Sequence, residues 1–146
     1  MNIRVMTIDD YNAVYNLWIS TPGMGLNDID DSKNGIEKYL KRNPTTCFVA
    51  EDDGQVIGVI ISGHDGRRGF IYHTTVHTDY RRREIGKQLV EHALKALDAE
   101  GINKAALVVF SRNETGNGFW GKIGFTSRED IVYRNKNIHY LERIDT

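Results

Sequence analysis

Between residues 69 and 85 the hydrophobic rhythm of the chain changes period, and that switch limits the fold more than any other feature. FIYHTTVHT (70–78) is rich in aromatic and β-branched residues, as a strand is. From Ile85 to Glu100 the apolar residues return at helical spacing instead. Ile85, Leu89, Ala93, Ala96 and Leu97 make one stripe, Val90 and Leu94 widen it, and Gly101 supplies the stop. AALVVF (105–110) then reads as a strand buried on both faces, being continuously apolar. Strands on both sides of such a helix call for a mixed α/β layer structure.

The rest of the chain fits that class. A short strand around Ile3 to Met6 precedes Thr7 and the pair Asp9–Asp10, which cap a helix carrying Tyr11, Val14, Tyr15 and Trp18. Thr21-Pro22-Gly23 ends it. A polar stretch, GMGLNDIDDSKNG, leads to a second helix with Ile36, Tyr39 and Leu40 on one face, capped by Asp31 or Ser32 and ending before Pro44. CFVAEDDGQVIGVIISG is a hairpin turning at Asp52-Asp53-Gly54, and HDGRRG joins it to the next strand. A short helix runs from about Glu114 to Lys122, stopped by Gly124. DIVYRNKNIHYLERI closes the chain as a hairpin turning at Asn135-Lys136-Asn137. The order β-α-α-β-β-β-α-β-α-β-β predicts a single domain over 1–146, a mostly antiparallel sheet of six to seven strands with about four helices.

Bulk properties exclude several functions. A net charge of −1 gives no general attraction to nucleic acid or an acidic membrane, so anion binding must come from local clusters. One cysteine, Cys47, excludes a disulfide framework or a cysteine metal cluster; in a strand-like run it reads as a core residue. No apolar run approaches membrane-spanning length and the N-terminus lacks signal-peptide character, so the cytoplasm is the expected compartment.

One local cluster stands out. In TTVHTDYRRREIGKQL a strand gives way to a basic loop and then to a helix. The first turn of a helix has unpaired N–H groups and the positive end of the dipole. Arg81, Arg82, Arg83 and Lys87 add cationic donors, and Gly86 allows close approach, which suits a phosphate or pyrophosphate. The plainer alternative is a solvated basic turn. A second segment, RNETGNGFWGKIGF, offers Asn113 to an amide-bearing ligand and Phe119 and Trp120 as aromatic surface. Equally, Asn113 can cap its own helix and Phe119 and Phe125 can be core.

Arg81-Arg82-Arg83-Glu84-Ile85-Gly86 resembles the Arg/Gln-x-x-Gly-x-Gly/Ala motif of the GNAT N-acetyltransferases. Asn113 followed by Phe119-Trp120-Gly121-Lys122-Ile123-Gly124-Phe125 is similar to that family's Asn…Phe-Tyr-x-x-x-Gly-Phe segment, and the element order agrees from Ile3 to about Glu142. The resemblance implies acetyl-coenzyme A as donor and a primary amine as acceptor, joined by direct attack in a ternary complex, with no metal. It implies that main-chain groups at Thr74, Thr75 and Val76 pair with the pantetheine arm. The loop through Arg81, Arg82, Arg83, Glu84, Ile85, Gly86 and Lys87 would take the pyrophosphate. Asn113 would hold the pantetheine from the other side, and Phe119 and Trp120 would flank the thioester.

Two residues depart from the family pattern. Glu84 stands where the motif has its first glycine, and adds a side chain and a negative charge to a phosphate loop. Trp120 stands where many members have a tyrosine that protonates the departing thiolate, and indole N–H is not a useful acid. An acyl-coenzyme A sensor or partner subunit with little turnover is therefore the alternative to an enzyme. The amine needs a proton acceptor, and the resemblance directs attention to the strand before the loop. Phe70 has no such chemistry; Tyr72 can relay a proton or bind substrate. His73 has the better intrinsic pKa, but strand alternation turns it to the opposite face unless a bulge intervenes. His77 is a loop residue near the cofactor. The acceptor would be read by GMGLNDIDDS and HDGRRG, with Asp28, Asp30, Asp31 and Asp65 attracting an amine and Arg67 and Arg68 a carboxylate. An amino acid, a polyamine and a protein N-terminus or lysine all fit. The terminal hairpin and strand edges suit a homodimer.

Overall fold

The computed structural model describes residues 1–144. β1 (Asn2–Val5) leads into one 3-10 turn in which the Thr7 N–H donates to Asp10 Oδ2 at 2.9 Å, and α1 (Tyr11–Ile19) follows. Arg4 donates twice to Asp10, at 2.9 and 2.8 Å, and twice to Glu51, at 3.0 and 3.5 Å, tying strand, turn and neighbouring strand together. The cap of α2 (Lys33–Arg42) is Ser32, whose Oγ accepts from the Gly35 N–H at 3.0 Å. That choice matters for function, because it leaves the Asp31 carboxylate to another partner.

β2 (Phe48–Asp52) and β3 (Gln55–His64) are joined by Asp53 and Gly54, both with left-handed backbones (φ 50° and 77°). Two such residues give the tight turn whose twist matches a hairpin. β4 (Gly69–Val76) follows, then α3 (Ile85–Ala99), β5 (Ala105–Ala106) and α4 (Glu114–Lys122). The sheet order is β1-β2-β3-β4-β5, antiparallel up to β4, with β5 parallel to β4. α1 and α2 cover one face, where Val14, Trp18, Ile36 and Leu40 pack on Val49, Val59 and Ile61. α3 covers the other, where Ile85, Leu89 and Ala93 pack on Ala50, Ile60 and Ile71; Phe119 and Trp120 of α4 close its margin.

The structure corrects the sequence reading at the C-terminal side of the sheet. The expected strand over 105–110 pairs with β4 only through Ala105 and Ala106, opposite Gly69 and Phe70. Beyond them it is not buried on both faces: Val108 is 58% exposed. The expected hairpin around Asn135-Lys136-Asn137 forms no ladder, so the sheet has five strands rather than six or seven. Ile131, Val132, Tyr133, Ile138 and Tyr140 are exposed. The cause is shared. β5 leaves the sheet after two residues, so a terminal hairpin has no long edge to join, and a hairpin alone is marginal in water. The end of the chain is tied elsewhere: the Asp28 N–H donates to the Glu142 carbonyl at 2.9 Å and the Ile144 N–H to the Leu26 carbonyl at 3.1 Å. Among the described residues no helix is long and apolar enough to cross a membrane.

Candidate active site

The early departure of β5 opens a cleft. On one side β4 keeps β3 to its end, with Thr75 opposite Val59 and Val76 opposite Gly58. On the other it has no strand partner after Phe70, so the backbone from Ile71 to Val76 has an open edge. Thr74 Oγ1 is sealed from solvent beside this cleft without a hydrogen-bond partner, one of two such side-chain atoms among the described residues. A buried hydroxyl with nothing to bond costs on the order of 1–3 kcal/mol, so an orphan at a cleft wall fits a ligand that brings the missing partner.

The open edge leads to the basic loop. Thr78–Tyr80 form a 3-10 turn begun by His77, whose Nδ1 accepts from the Asp79 N–H at 3.1 Å. Arg81 reaches back to the Val76 carbonyl (3.3 Å), and Arg83 lies 5.2 Å from the centre of the Tyr80 ring. Arg82 and Glu84 both have left-handed backbones, φ 65° and 60°. This refines the reason for expecting glycine at position 84. The loop demands a left-handed residue immediately before α3, a conformation that costs an L-residue about 1–2 kcal/mol and glycine almost nothing. Glu84 adopts it, exposed and making no capping hydrogen bond. Gly86 has a packing role as well: a Cβ there would lie 3.3 Å from the Phe119 ring, so the glycine sets how closely α4 approaches α3.

Across the cleft, Asn113 Oδ1 accepts from the Gly116 N–H at 2.9 Å. Its capping role is therefore real, while its Nδ2 makes no hydrogen bond among the described residues. Trp120 is held edge-on between Phe119 and Phe125, with centroids at 5.0 and 5.1 Å.

Asn113 and Trp120 also line a cavity of about 1210 Å³ between α2, β4 and the diverging chain after β5. Asp30, Asp31, Tyr39, Tyr72, His73, Thr74 and Tyr133 share its walls. The feature that alternation hides is a bulge in β4. Val59 pairs with Thr75 and Ile61 with Tyr72, so His73 and Thr74 together oppose Ile60. His73 takes a left-handed backbone (φ 42°) in mid-strand, which turns its ring to the α1–α2 face beside Tyr72. There His73 Nε2 lies 2.8 Å from Asp31 Oδ1 and the ring stands edge-on to Trp18 at 5.1 Å. The expectation that His73 points away from Tyr72 fails for this reason, and the bulge is the condition that reverses it. One sign of the bulge lies in the spacing of Ile71 and Val76, which pack on the same face five residues apart, an odd interval that a regular strand forbids.

Two tyrosines of this cavity, Tyr39 and Tyr72, are shifted away from ionisation. Burial, aided by Tyr133 and the charges of Asp30 and Asp31, pushes the Tyr72 phenol above its ordinary value. Burial pushes Tyr39 up further. Both phenols stay protonated.

Fold and cleft together define the class: an α/β protein whose sheet splits between two parallel strands, with an open strand edge running to a cationic helix N-terminus. The chain belongs to the Acetyltransferase (GNAT) family, whose family model matches residues 11–125. It is 34% identical over 142 residues to an acetyltransferase of Pectobacterium atrosepticum, covering 97% of this chain and 99% of that protein. It is 33% identical over 138 residues to one of Sodalis glossinidius, covering 94% and 96%. The fold is also that of the PaiA N-acetyltransferase from Thermoplasma acidophilum, solved in complex with coenzyme A. That likeness has a TM-score of 0.74 at 22% identity, covering 87% of this chain and 90% of that one.

Proposed function

We propose that this protein transfers the acetyl group of acetyl-coenzyme A to a primary amine by direct attack in a ternary complex. The open edge of β4, running from the orphaned Thr74 hydroxyl to the basic N-terminus of α3, carries the reading. Main-chain groups of Thr74, Thr75 and Val76 suit the amides of a pantetheine arm, which adds to the edge as a strand does. Unpaired N–H groups at Ile85, Gly86 and Lys87, with Arg81, Arg82 and Arg83 beside them, suit the pyrophosphate. Asn113 Nδ2 is the donor from the opposite wall. Trp120 packs near the thioester end. The coenzyme A complex of a protein with the same fold supports this assignment.

Tyr72 orients the acceptor in the cavity as a protonated phenol. With tryptophan at position 120, the leaving thiolate is protonated from water or from the amine nitrogen. A thiolate with a pKa near 8.5 makes that a modest demand. The test is release of free thiol from acetyl-coenzyme A with a panel of amino acids, polyamines and peptides. Acetylated amine should form in step with thiol. Glu84 and Trp120 favour a second reading, an acyl-coenzyme A sensor with little turnover. Tight coenzyme A binding with no thiol release on any amine would establish that one instead.

A further inference from the structure

Four non-glycine residues have left-handed backbones among the described residues: Asp53, His73, Arg82 and Glu84. Asp53 closes a tight turn, and Arg82 and Glu84 shape the basic loop. Only His73 lies inside a strand, where such a conformation costs roughly 1–3 kcal/mol and persists only if its surroundings enforce it. The surroundings do. Its carbonyl accepts from Trp18 Nε1 at 3.3 Å, and Nε2 meets Asp31 Oδ1 at 2.8 Å, with the two side chains 13% and 6% exposed. Asp31 is itself fixed, for its other oxygen accepts the Asn27 N–H at 2.9 Å and its backbone carbonyl accepts the Tyr11 hydroxyl at 2.7 Å. The remaining ring nitrogen, His73 Nδ1, makes no hydrogen bond among the described residues. Both residues line the cavity.

We propose that His73, oriented by Asp31, accepts the proton of the attacking amine, which rests on the acetyltransferase reading above. Asp31 accepts the Nε2–H bond and so selects the neutral tautomer with its lone pair on Nδ1. An ammonium acceptor passes one proton to Nδ1, and Asp31 stabilises the imidazolium. The freed nitrogen lone pair forms the N–C bond to the thioester carbonyl carbon. The C–S bond breaks with its electron pair going to sulfur, and the second proton leaves nitrogen for the thiolate. Amide and coenzyme A thiol result, with one proton released as His73 returns to neutral. The other titratable and charged groups lining the cavity are Asp30 from the same loop, Lys38, Tyr39 and Arg42 from α2, His64 from β3, Asp65 and Arg68 from the turn after it, Tyr72 from β4 and Tyr133 from the C-terminal segment. Tyr39 and Tyr72 are held protonated. Both ring nitrogens of His64 are engaged, Nδ1 accepting the Gly66 N–H at 3.0 Å and Nε2 facing Glu100 at 3.5 Å, so His73 Nδ1 is the imidazole nitrogen open to the cavity among the described residues.

The test uses His73→Gly, because glycine takes the left-handed backbone without strain and the fold survives. Its kcat/KM should fall at least about 100-fold, the usual size of a lost general base. Coenzyme A titration should be unchanged, and added imidazole should restore part of the rate. Asp31→Asn should lower kcat/KM with coenzyme A titration unchanged, and should let the His73 ring take up the Nδ1–H tautomer. Nitrogen NMR of the ring should show Nε2–H in the neutral native protein, a readout needing no acceptor. A rate within threefold of native for His73→Gly, or a loss that imidazole leaves untouched, overturns the proposal. So does an Nδ1–H tautomer, whether or not turnover is seen. If the native protein binds coenzyme A but acetylates nothing, the transfer reading fails first and takes the role of His73 with it. If native turnover stands and only the His73 results fail, the transfer reading survives.

Discussion

Replacing Glu84 with glycine separates two effects that the sequence folds into one. The residue is exposed and directly precedes α3 with φ 60°. Relief of the left-handed strain favours glycine by about 1–2 kcal/mol, whereas extra freedom in the unfolded chain costs it about 0.5–1 kcal/mol. Loss of a carboxylate at the helix N-terminus costs a further 0.3–1 kcal/mol or so. These terms nearly cancel, so the melting temperature should move by only a few degrees. Binding should not cancel. A carboxylate about 7 Å from a pyrophosphate carrying two charges repels it by roughly 1 kcal/mol in a water-like dielectric, or about fivefold in affinity. Calorimetric titration with coenzyme A should therefore show Glu84→Gly binding about fivefold tighter at low salt. The gain should shrink to less than twofold near 1 M salt, where the screening length is about 3 Å. Glu84→Ala keeps the strain and removes the charge, so it should match the glycine variant in binding. Unchanged or weaker binding of Glu84→Gly at low salt would refute the reasoning, since the carboxylate would then not oppose the phosphates.

Three further outcomes follow from other parts of the molecule. Arg4, outweighing burial, holds the Asp10 carboxyl below the ordinary carboxylate range, so the stability it contributes is present above about pH 4 and lost as pH falls through the folded value. Asp10→Asn should cost about 2 kcal/mol at pH 7 by urea unfolding and progressively less toward pH 2; an equal cost at both pH values contradicts the pairing. Burial pushes the Cys47 thiol up to about 12, so a thiol reagent should leave it unmodified in the native protein and react once in denaturant, leaving thiol-release assays without background. Reaction in the native protein at the rate of an exposed thiol would show that the chain around Cys47 opens. Trp120→Tyr should leave kcat within about threefold, since a thiolate of pKa near 8.5 needs little help; a hundredfold gain would mean that a missing acid limits the native protein.

The layer order was readable because each element carried its own local code. Asp53-Gly54 can supply two left-handed residues in a row, which few other pairs do cheaply, and the stripe from Ile85 to Leu97 with Gly101 behind it defines α3. The place of the basic loop between β4 and α3 was readable for the same reason, because the apolar period changes on either side of it. His73 was not. Between Ile71 and Val76 the strand reads Tyr-His-Thr-Thr, without an apolar residue to fix which face each side chain takes, so register passes to tertiary contacts such as Trp18 on the His73 carbonyl. Asp31 was one acid among four in two polar loops; only the choice of Ser32 as the cap freed it for His73. The terminal hairpin failed because its apolar residues speak only for a strand, whereas pairing depends on an edge that β5 does not extend.

Acetyl-coenzyme A is expected to fill the gap between β4 and β5, and a crystal structure of the protein with that cofactor measures this. The pantetheine should lie along the open edge at Thr74 to Val76, with a donor or acceptor meeting Thr74 Oγ1, the pyrophosphate against residues 81–87 and the acetyl group opening into the cavity of His73 and Asp31. A gap closed by β5 zipping onto β4, or a cofactor bound elsewhere on the molecule, would contradict it.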